Sequence, residues 1–343
     1  MIKLLSLFSG IGAFEKALDN LKIDYELVNY CEIDKFASYA YSILHKVDES
    51  LNLGDISKVD VENLKDFDLL TYGFPCQDIS LAGKKRGIIK GETRSGLLFE
   101  ALKIIETKKP KYAIAENVKN LTSKMFINDF KNMIQELDDI GYNSYWKVLN
   151  SKDYRASQSR ERVFIVSIRK DVDNGKFKFP ESMNIHIPLS EVTEKNIDEK
   201  YYCKENIHIE KFLDNVNRKI VDFKDPSKFG LLRVGEIDNP NMLNMNKRVF
   251  SELGVSPTIT TCSDSIPKII QCRIRKLTPL ECWRLTGFND EDYWNVRKTL
   301  EQKFYGNKDK SDTQMYKMAG NSIVVNVIES ILKELLLSKK PSN

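Results

Sequence analysis

Along the first half of the chain, short apolar runs alternate with stretches whose apolar residues recur every three or four positions. The runs Ile2 to Phe8, Tyr25 to Tyr30, Phe67 to Tyr72, Tyr112 to Ala115, Ser144 to Leu149 and Val163 to Ile168 read as buried strands. Between them, Ala13 to Leu21, Lys35 to His45, Leu97 to Thr107 and Phe126 to Ile140 carry helical spacing. Such alternation predicts an α/β fold, a largely parallel, doubly wound, Rossmann-like sheet with ligands at the carboxyl ends of its strands. The rhythm stops near Phe179-Pro180. From there to about Pro267 the chain is polar and rich in Asn and Lys, which predicts a second, smaller domain of irregular strands. Regular patterning returns before Ile323 to Leu337, an apolar helix that Asn321 or Ser322 is placed to cap. The expected division is a sheet domain of residues 1–178 plus 306–343, with 179–305 as the smaller domain and hinge.

A chain of 343 residues has room for such a pair. Its 41% hydrophobic content and dispersed charge describe a globular protein with a substantial core. A net charge of +4 permits a polyanionic partner without demanding one, because local patches matter more than the total. The cysteines Cys31, Cys76, Cys203, Cys262, Cys272 and Cys282 include no CxxC pair, and His45, His186 and His208 are scattered. Neither zinc-ligand spacing nor a disulfide framework is visible, so no metal and reduced thiols are expected. No apolar run approaches the ~20 residues that span a bilayer, and the N-terminus lacks a cleavage-site pattern. A cytoplasmic protein is expected.

Two segments carry candidate chemistry. Phe8-Ser9-Gly10-Ile11-Gly12 lies between a strand and a helix, where glycines let the backbone approach a ligand. About 20 residues further on, Glu32 ends the next strand, placed for the hydroxyl pair of a ribose. A dinucleotide site also fits this pattern, although Ala13-Phe14-Glu15 offers no third glycine. The sharper segment is Gly73-Phe74-Pro75-Cys76-Gln77, directly after a strand, with Pro75 stiffening the backbone ahead of the thiol. A lone cysteine is by default a buried structural thiol. It becomes a nucleophile candidate with a partner, and Ala115-Glu116-Asn117-Val118 sets a carboxylate at the end of another apolar strand. The Gly- and Lys-rich stretch from Ala82 to Arg94 reads, on composition, as a solvated surface loop.

Taken in order, these segments resemble the motifs of the cytosine-5 DNA methyltransferase family, in its bacterial and phage modification type. The series continues with Gln158-x-Arg160-x-Arg162, with Arg275-Lys276-Leu277-Thr278-Pro279-Leu280-Glu281-Cys282-Trp283-Arg284-Leu285 and with Gly320-Asn321-Ser322. The match runs from Leu5 to about Ile331, and its gap between Phe179 and Ile270 falls where that family keeps its variable target-recognition region. The resemblance implies a transferase that carries a methyl group from S-adenosylmethionine to C5 of cytosine in a short specific duplex sequence, releasing S-adenosylhomocysteine. It further implies a catalytic, cofactor-binding domain around a target-recognition domain.

The implied chemistry suits the residues. Cytosine C5 is too weak a nucleophile until a thiolate adds at C6, which Cys76 would do; a thiol with a pKa near ~8.5 needs activation first. Glu116 would hold or protonate N3, and Arg162, with Arg160 beside it, would hold the cytosine edge. The same matching carries over Phe8, Gly10 and Gly12 around the methionine moiety, Glu32 on the ribose, and Asp55 with Ile56 near adenine. Phe74, Leu97, Asn321 and Ser322 complete that pocket. A stacked base must be flipped out to react, so the stretch through Arg94 becomes, by its position, a loop closing on phosphates. Gln77, Ser80, Lys84, Lys85, Arg86 and Arg94 are its implied DNA contacts, with Arg233, Arg248 and Thr258 in the recognition region. The implied partner is double-stranded DNA, met by a monomer in the bacterial cytoplasm at the nucleoid, either with a cognate restriction endonuclease or as an orphan or phage enzyme. Arg155 stands where the family usually has Gly and Ser157 where it has Pro, which predicts an altered turn before Gln158. A branch of the family that methylates tRNA carries Pro-Pro-Cys-Gln and a Cys-Phe-Thr signature; Phe74-Pro75-Cys76-Gln77 favours DNA.

Overall fold

The computed structural model describes residues 1–337 except 77, 80–86, 90–91, 184, 204–206, 209–229 and 272. The chain forms two units. The first comprises Met1–Leu149, Glu161–Glu181 and Ile328–Asn343, and the second Asn150–Arg160 and Ser182–Val327.

In the first unit six strands form one sheet, β1 (Ile2–Leu7), β2 (Tyr25–Cys31), β3 (Leu69–Tyr72), β4 (Tyr112–Val118), β5 (Tyr142–Asn150) and β6 (Glu161–Arg169), in the order β2-β1-β3-β4-β6-β5. The pairs β1/β2, β1/β3 and β3/β4 are parallel and β4/β6 is antiparallel. The helices α1 (Ala13–Asn20), α2 (Lys35–His45), α3 (Leu98–Lys108) and α4 (Ile127–Ile140) fall within a residue or two of their expected spans. Leu5, Leu70, Ala113 and Ile165 pack with Ala101, Ile105, Phe130 and Leu137, so α3 and α4 cover one face of the sheet. Leu4, Leu69 and Ile114 point to the other face and are equally buried. That two-sided burial is why the strands read as continuous apolar runs. Register then fixes the site: Leu7 pairs with both Cys31 and Tyr72, and Tyr72 with Ala115. The residues that follow β1, β2 and β3 therefore emerge at one sheet edge, beside the end of β4, where the strand order reverses.

The second unit has its own sheet, of β7 (Ile207–His208), β8 (Arg233–Ile237), β9 (Arg248–Ser251), β10 (Lys268–Ile270) and β11 (Ile274–Lys276), in the order β11-β10-β9-β8-β7. Val234, Ile237, Val249 and Ile274 form its small apolar core. Three helices follow in this unit, α5 (Pro279–Leu285), α6 (Asp290–Tyr305) and α7 (Asp312–Asn321), and α8 (Val325–Leu332) carries the chain back into the first unit at Ile328. Capping boxes at Thr278/Glu281 and Asn289/Asp292 start α5 and α6.

Three boundaries differ from expectation. The first unit resumes at 328 instead of 306, because Trp283 Nε1 donates to Met315 O (3.0 Å) and the Tyr316 hydroxyl to Leu277 O (2.6 Å), tying α7 to α5. Residues 150–160 also belong to the second unit, where Ser159 N donates to Ser256 O and Ser256 N to Ser157 O, each at 2.8 Å. Finally, Asn321 and Ser322 do not start a helix. They end α7, with Ser322 extended at the C-cap, and α8 begins three residues later before a terminal π-turn, Lys333–Leu337. Among the described residues, no helix is long and apolar enough to cross a membrane.

Candidate active site

Because β1 and β2 run parallel side by side, the turn after one meets the acid after the other. Phe8, Gly10 and Gly12 all take positive φ (53°, 56° and 78°), which folds the turn back so that Ser9 N donates to Cys31 O at 3.0 Å. Gly10 N then donates to Glu32 Oε2 (2.9 Å), and Asp34 N to Glu32 Oε1 (2.8 Å). Burial pushes the Glu32 carboxyl above its ordinary value, while the Asp34 and Gly10 N–H groups draw it back. The two glycines serve different ends. A Cβ on Gly10 would meet nothing within 4 Å, leaving open space beside the turn. A Cβ on Gly12 would stand 2.1 Å from His45 Nε2, the atom that also lies 3.1 Å from Ile11 O.

Asp55, expected near adenine, caps the turn Ile56–Lys58: Ser57 Oγ and Ser57 N both donate to its Oδ1, and those bonds hold its carboxyl below the usual range. The Ile56 side chain is in the core. So is that of Phe74, with Phe8 and Leu97 at the margin of the same cluster. Sequence reading missed Ile33, an apolar side chain 77% exposed between Glu32 and Asp34; its one signal was an isolated apolar residue beside a strand-end acid. Asn321 is exposed at the end of α7 and Ser322 is buried.

The cysteine turn is held through its carbonyls. Asn117 Nδ2 donates to Phe74 O (3.1 Å), Ser95 Oγ to Pro75 O (2.8 Å) and Ile79 N to Cys76 O (3.0 Å), while Asn120 Nδ2 donates to Ile79 O (2.5 Å). Cys76 is thus a half-buried thiol on a backbone clamped from β4 and from the turn before α3. Neither Asn117 nor Ser95 stands out in the sequence as a backbone clamp, although Asn117 adjoins the acid in Glu-Asn-Val.

Glu116 stands on β4 one residue beyond the register partner of Tyr72. The antiparallel pairing Val118↔Arg162 and Glu116↔Phe164 brings Arg162 diagonally across from it, Nε 2.9 Å from Glu116 Oε1. The approach is off the N–H axis: it is an ion pair, and Oε1 has no aligned hydrogen-bond donor among the described residues. Arg160 behaves differently. Expected beside Arg162, it is buried, and its Nη2 donates to Gly320 O at 3.1 Å inside the second unit. Arg155 takes φ 60°, the left-handed conformation glycine would supply, and Ser157 Oγ donates to Pro188 O (3.2 Å).

Of the expected DNA contacts, Gln77, Ser80, Lys84, Lys85 and Arg86 lie outside the described residues, as does the Arg94 side chain. Arg233 is paired with Glu236 on its own strand, and burial and the nearby charge of Arg248 push its pKa down. Arg248 is exposed. The Thr258 hydroxyl is engaged inward, donating to Ser159 O at 2.9 Å.

A mostly parallel sheet with a glycine turn, an acid and a cysteine at neighbouring strand ends by its switch point is the Rossmann-like methyltransferase arrangement. Residues 2–337 match the family described as C-5 cytosine-specific DNA methylase, and the chain belongs to that family: it is a cytosine-5 DNA methyltransferase. It is 33% identical to the orphan methyltransferase M.SPBetaI of Bacillus phage SPbeta, over 98% of this chain and 97% of the relative. It is 29% identical to the type II methyltransferase M.HhaI of Haemophilus parahaemolyticus, over 96% and 93%. Solved structures with this fold include the Entamoeba histolytica methyltransferase EhMeth (TM-score 0.70, 17% identity, 99% of both chains). Another is S. pombe Dnmt2 (0.65, 19%, 98% and 99%).

Proposed function

We propose that the chain methylates C5 of a cytosine flipped out of a short specific duplex sequence, through a covalent bond between Cys76 Sγ and C6. The observation that carries this reading is the pairing of a clamped cysteine turn with an under-bonded carboxylate, Glu116, on the next strand. S-adenosylmethionine, the kind of methyl donor this family uses, supplies the electrophilic methyl when bound. The chain's residues fit it. Glu32 presents a carboxylate to accept from the ribose hydroxyls, Ile33 offers apolar surface for a base, and the open side of Gly10 admits the amino-acid end. Phe8 and Gly12 shape that turn.

In the reaction, Cys76 as thiolate adds to C6 and the C5=C6 electron pair is pushed into the ring. Glu116 holds N3 and shares a proton with it, so that charge is dispersed as sulfur adds; Arg162 keeps Glu116 oriented and, by family matching, holds the cytosine edge. After C5 has taken the methyl, loss of the C5 proton restores the double bond and expels Cys76. Arg160 we read as holding the turn that leads into Arg162. The second unit is the target-recognition unit, with exposed Arg248 its best-placed DNA contact.

Bisulfite sequencing of plasmid DNA from a methylation-deficient host tests this directly. The wild-type chain is expected to protect cytosines in one recurring short context and Cys76→Ala to protect none. Protection by both would sink the covalent mechanism; protection by neither, with protein folded, would turn attention to tRNA.

A further inference from the structure

We propose that Asn52 is a positioning residue for the cofactor, holding Glu32 and the turn at Gly54 to Ile56 in the relation a nucleoside needs. The inference rests on reading Glu32 as the ribose acid. Glu32 lies just past the ladder between β1 and β2, whose last pair is Leu7↔Cys31. Its peptide groups therefore lie beyond the β1 ladder. Asn52 bonds both of them: its Oδ1 accepts from Glu32 N (3.0 Å) and its Nδ2 donates to Glu32 O (2.8 Å). The same carboxamide reaches two further elements, Oδ1 accepting from Gly54 N (2.9 Å) and Nδ2 donating to Ser38 Oγ on α2 (2.9 Å). A flipped amide would face its NH₂ toward two N–H donors, so the orientation is fixed.

The chain around Asn52 is itself anchored to β2. Leu53 N donates to Tyr30 O (2.7 Å), Asn29 Nδ2 donates to Leu51 O (3.0 Å), and Tyr30 bridges to Asn52. Glu32 is thus fixed twice, by Asn52 at its backbone and by Gly10 and Asp34 at its carboxylate. Without the first restraint, Gly10 would still hold the carboxylate, but the peptide carrying it could rotate. The property at risk is the preference for a ribose over a sugar lacking its hydroxyl, and one amide sets both it and the start of the Gly54 turn.

Calorimetric binding of S-adenosylhomocysteine and of its 2′-deoxy analogue to the full chain provides the test, using wild type, Asn52→Ala, Asn52→Leu and Glu32→Gln. Both Asn52 variants should weaken S-adenosylhomocysteine about tenfold, which corresponds to about 1.4 kcal/mol. They should weaken the deoxy analogue much less, and turnover at saturating cofactor should stay within about twofold. Asn52→Leu keeps the volume and guards against a folding loss in Asn52→Ala. Equal losses for both ligands would make Asn52 merely structural, and no loss would make it dispensable; either overturns the inference alone. Should Glu32→Gln leave both affinities unchanged, the ribose reading of Glu32 fails and takes this inference with it.

Discussion

Each unit contains one glutamate–arginine pair drawn from the family motifs, and the two are built to opposite ends. In the second unit Glu281 and Arg275 have no exposed side-chain surface. Every lone pair of the carboxylate has a donor: Arg275 Nη1 (2.8 Å) and Nη2 (2.6 Å), Thr278 N (2.7 Å) and Glu194 N (2.8 Å). In the first unit Glu116 Oε1 has Arg162 Nε at 2.9 Å, poorly aligned, and no hydrogen-bonded donor among the described residues. A saturated carboxylate has nothing left to offer a substrate and serves to join β11, the start of α5 and the segment at Glu194. An under-bonded one, held by a neighbour's charge, retains capacity for a ligand that arrives later.

The contrast is broken most severely at Glu281. Glu281→Ala leaves Arg275 buried and unpaired and also removes half of the capping box of α5, so it should cost about 3–5 kcal/mol of unfolding free energy. Urea unfolding followed by the fluorescence of buried Trp283 measures this; a loss under ~1 kcal/mol would mean the pair is not what holds α5 in place. Glu116→Gln should do the reverse. Methyl transfer should slow by about a hundredfold or more, while unfolding shifts far less than at Glu281, because Gln keeps the side-chain volume and a carbonyl oxygen facing Arg162. Single-turnover rates beside urea midpoints decide it, and a large stability loss with intact transfer would hand Glu116 a structural role.

The same contrast explains what the sequence disclosed. In the first unit the strands β1, β3, β4 and β6 are buried along most of both faces and the helices on one, so hydrophobic periodicity finds them, whereas β5 is half exposed and its ends are blurred. The site follows from which strand ends adjoin. What periodicity cannot disclose is a side chain acting on a distant backbone. Asn52, Asn117 and Ser95 position the site through carbonyls and N–H groups 20 to 43 residues away, and nothing local distinguishes them from turn asparagines and serines. In the second unit, polar networks take over from apolar faces. The sequence pattern predicts only irregular strands there and does not disclose α6, although Asn289-x-x-Asp292 announces its start. Spacing groups Arg160 with Arg162, two residues on; the structure sends one to Gly320 and the other to Glu116.

The smallest expected effect concerns the segment that runs from the second unit into Arg162. Arg155 is exposed, and its φ of 60° is a conformation that costs a non-glycine residue roughly 1 kcal/mol. Its backbone is nevertheless engaged, since Asn326 Nδ2 reaches Arg155 O at 3.5 Å, and Ala156 and Ser157 just after it are buried. The conformation is therefore imposed by its surroundings and not chosen by the arginine. Arg155→Gly should keep the turn, remove the strain and raise stability by about 0.5–1 kcal/mol, read as a higher urea midpoint at unchanged slope. A lower midpoint would mean the arginine side chain stabilises the turn more than its backbone strains it, and the turn before Gln158 would then depart from the glycine form that its dihedral angle indicates.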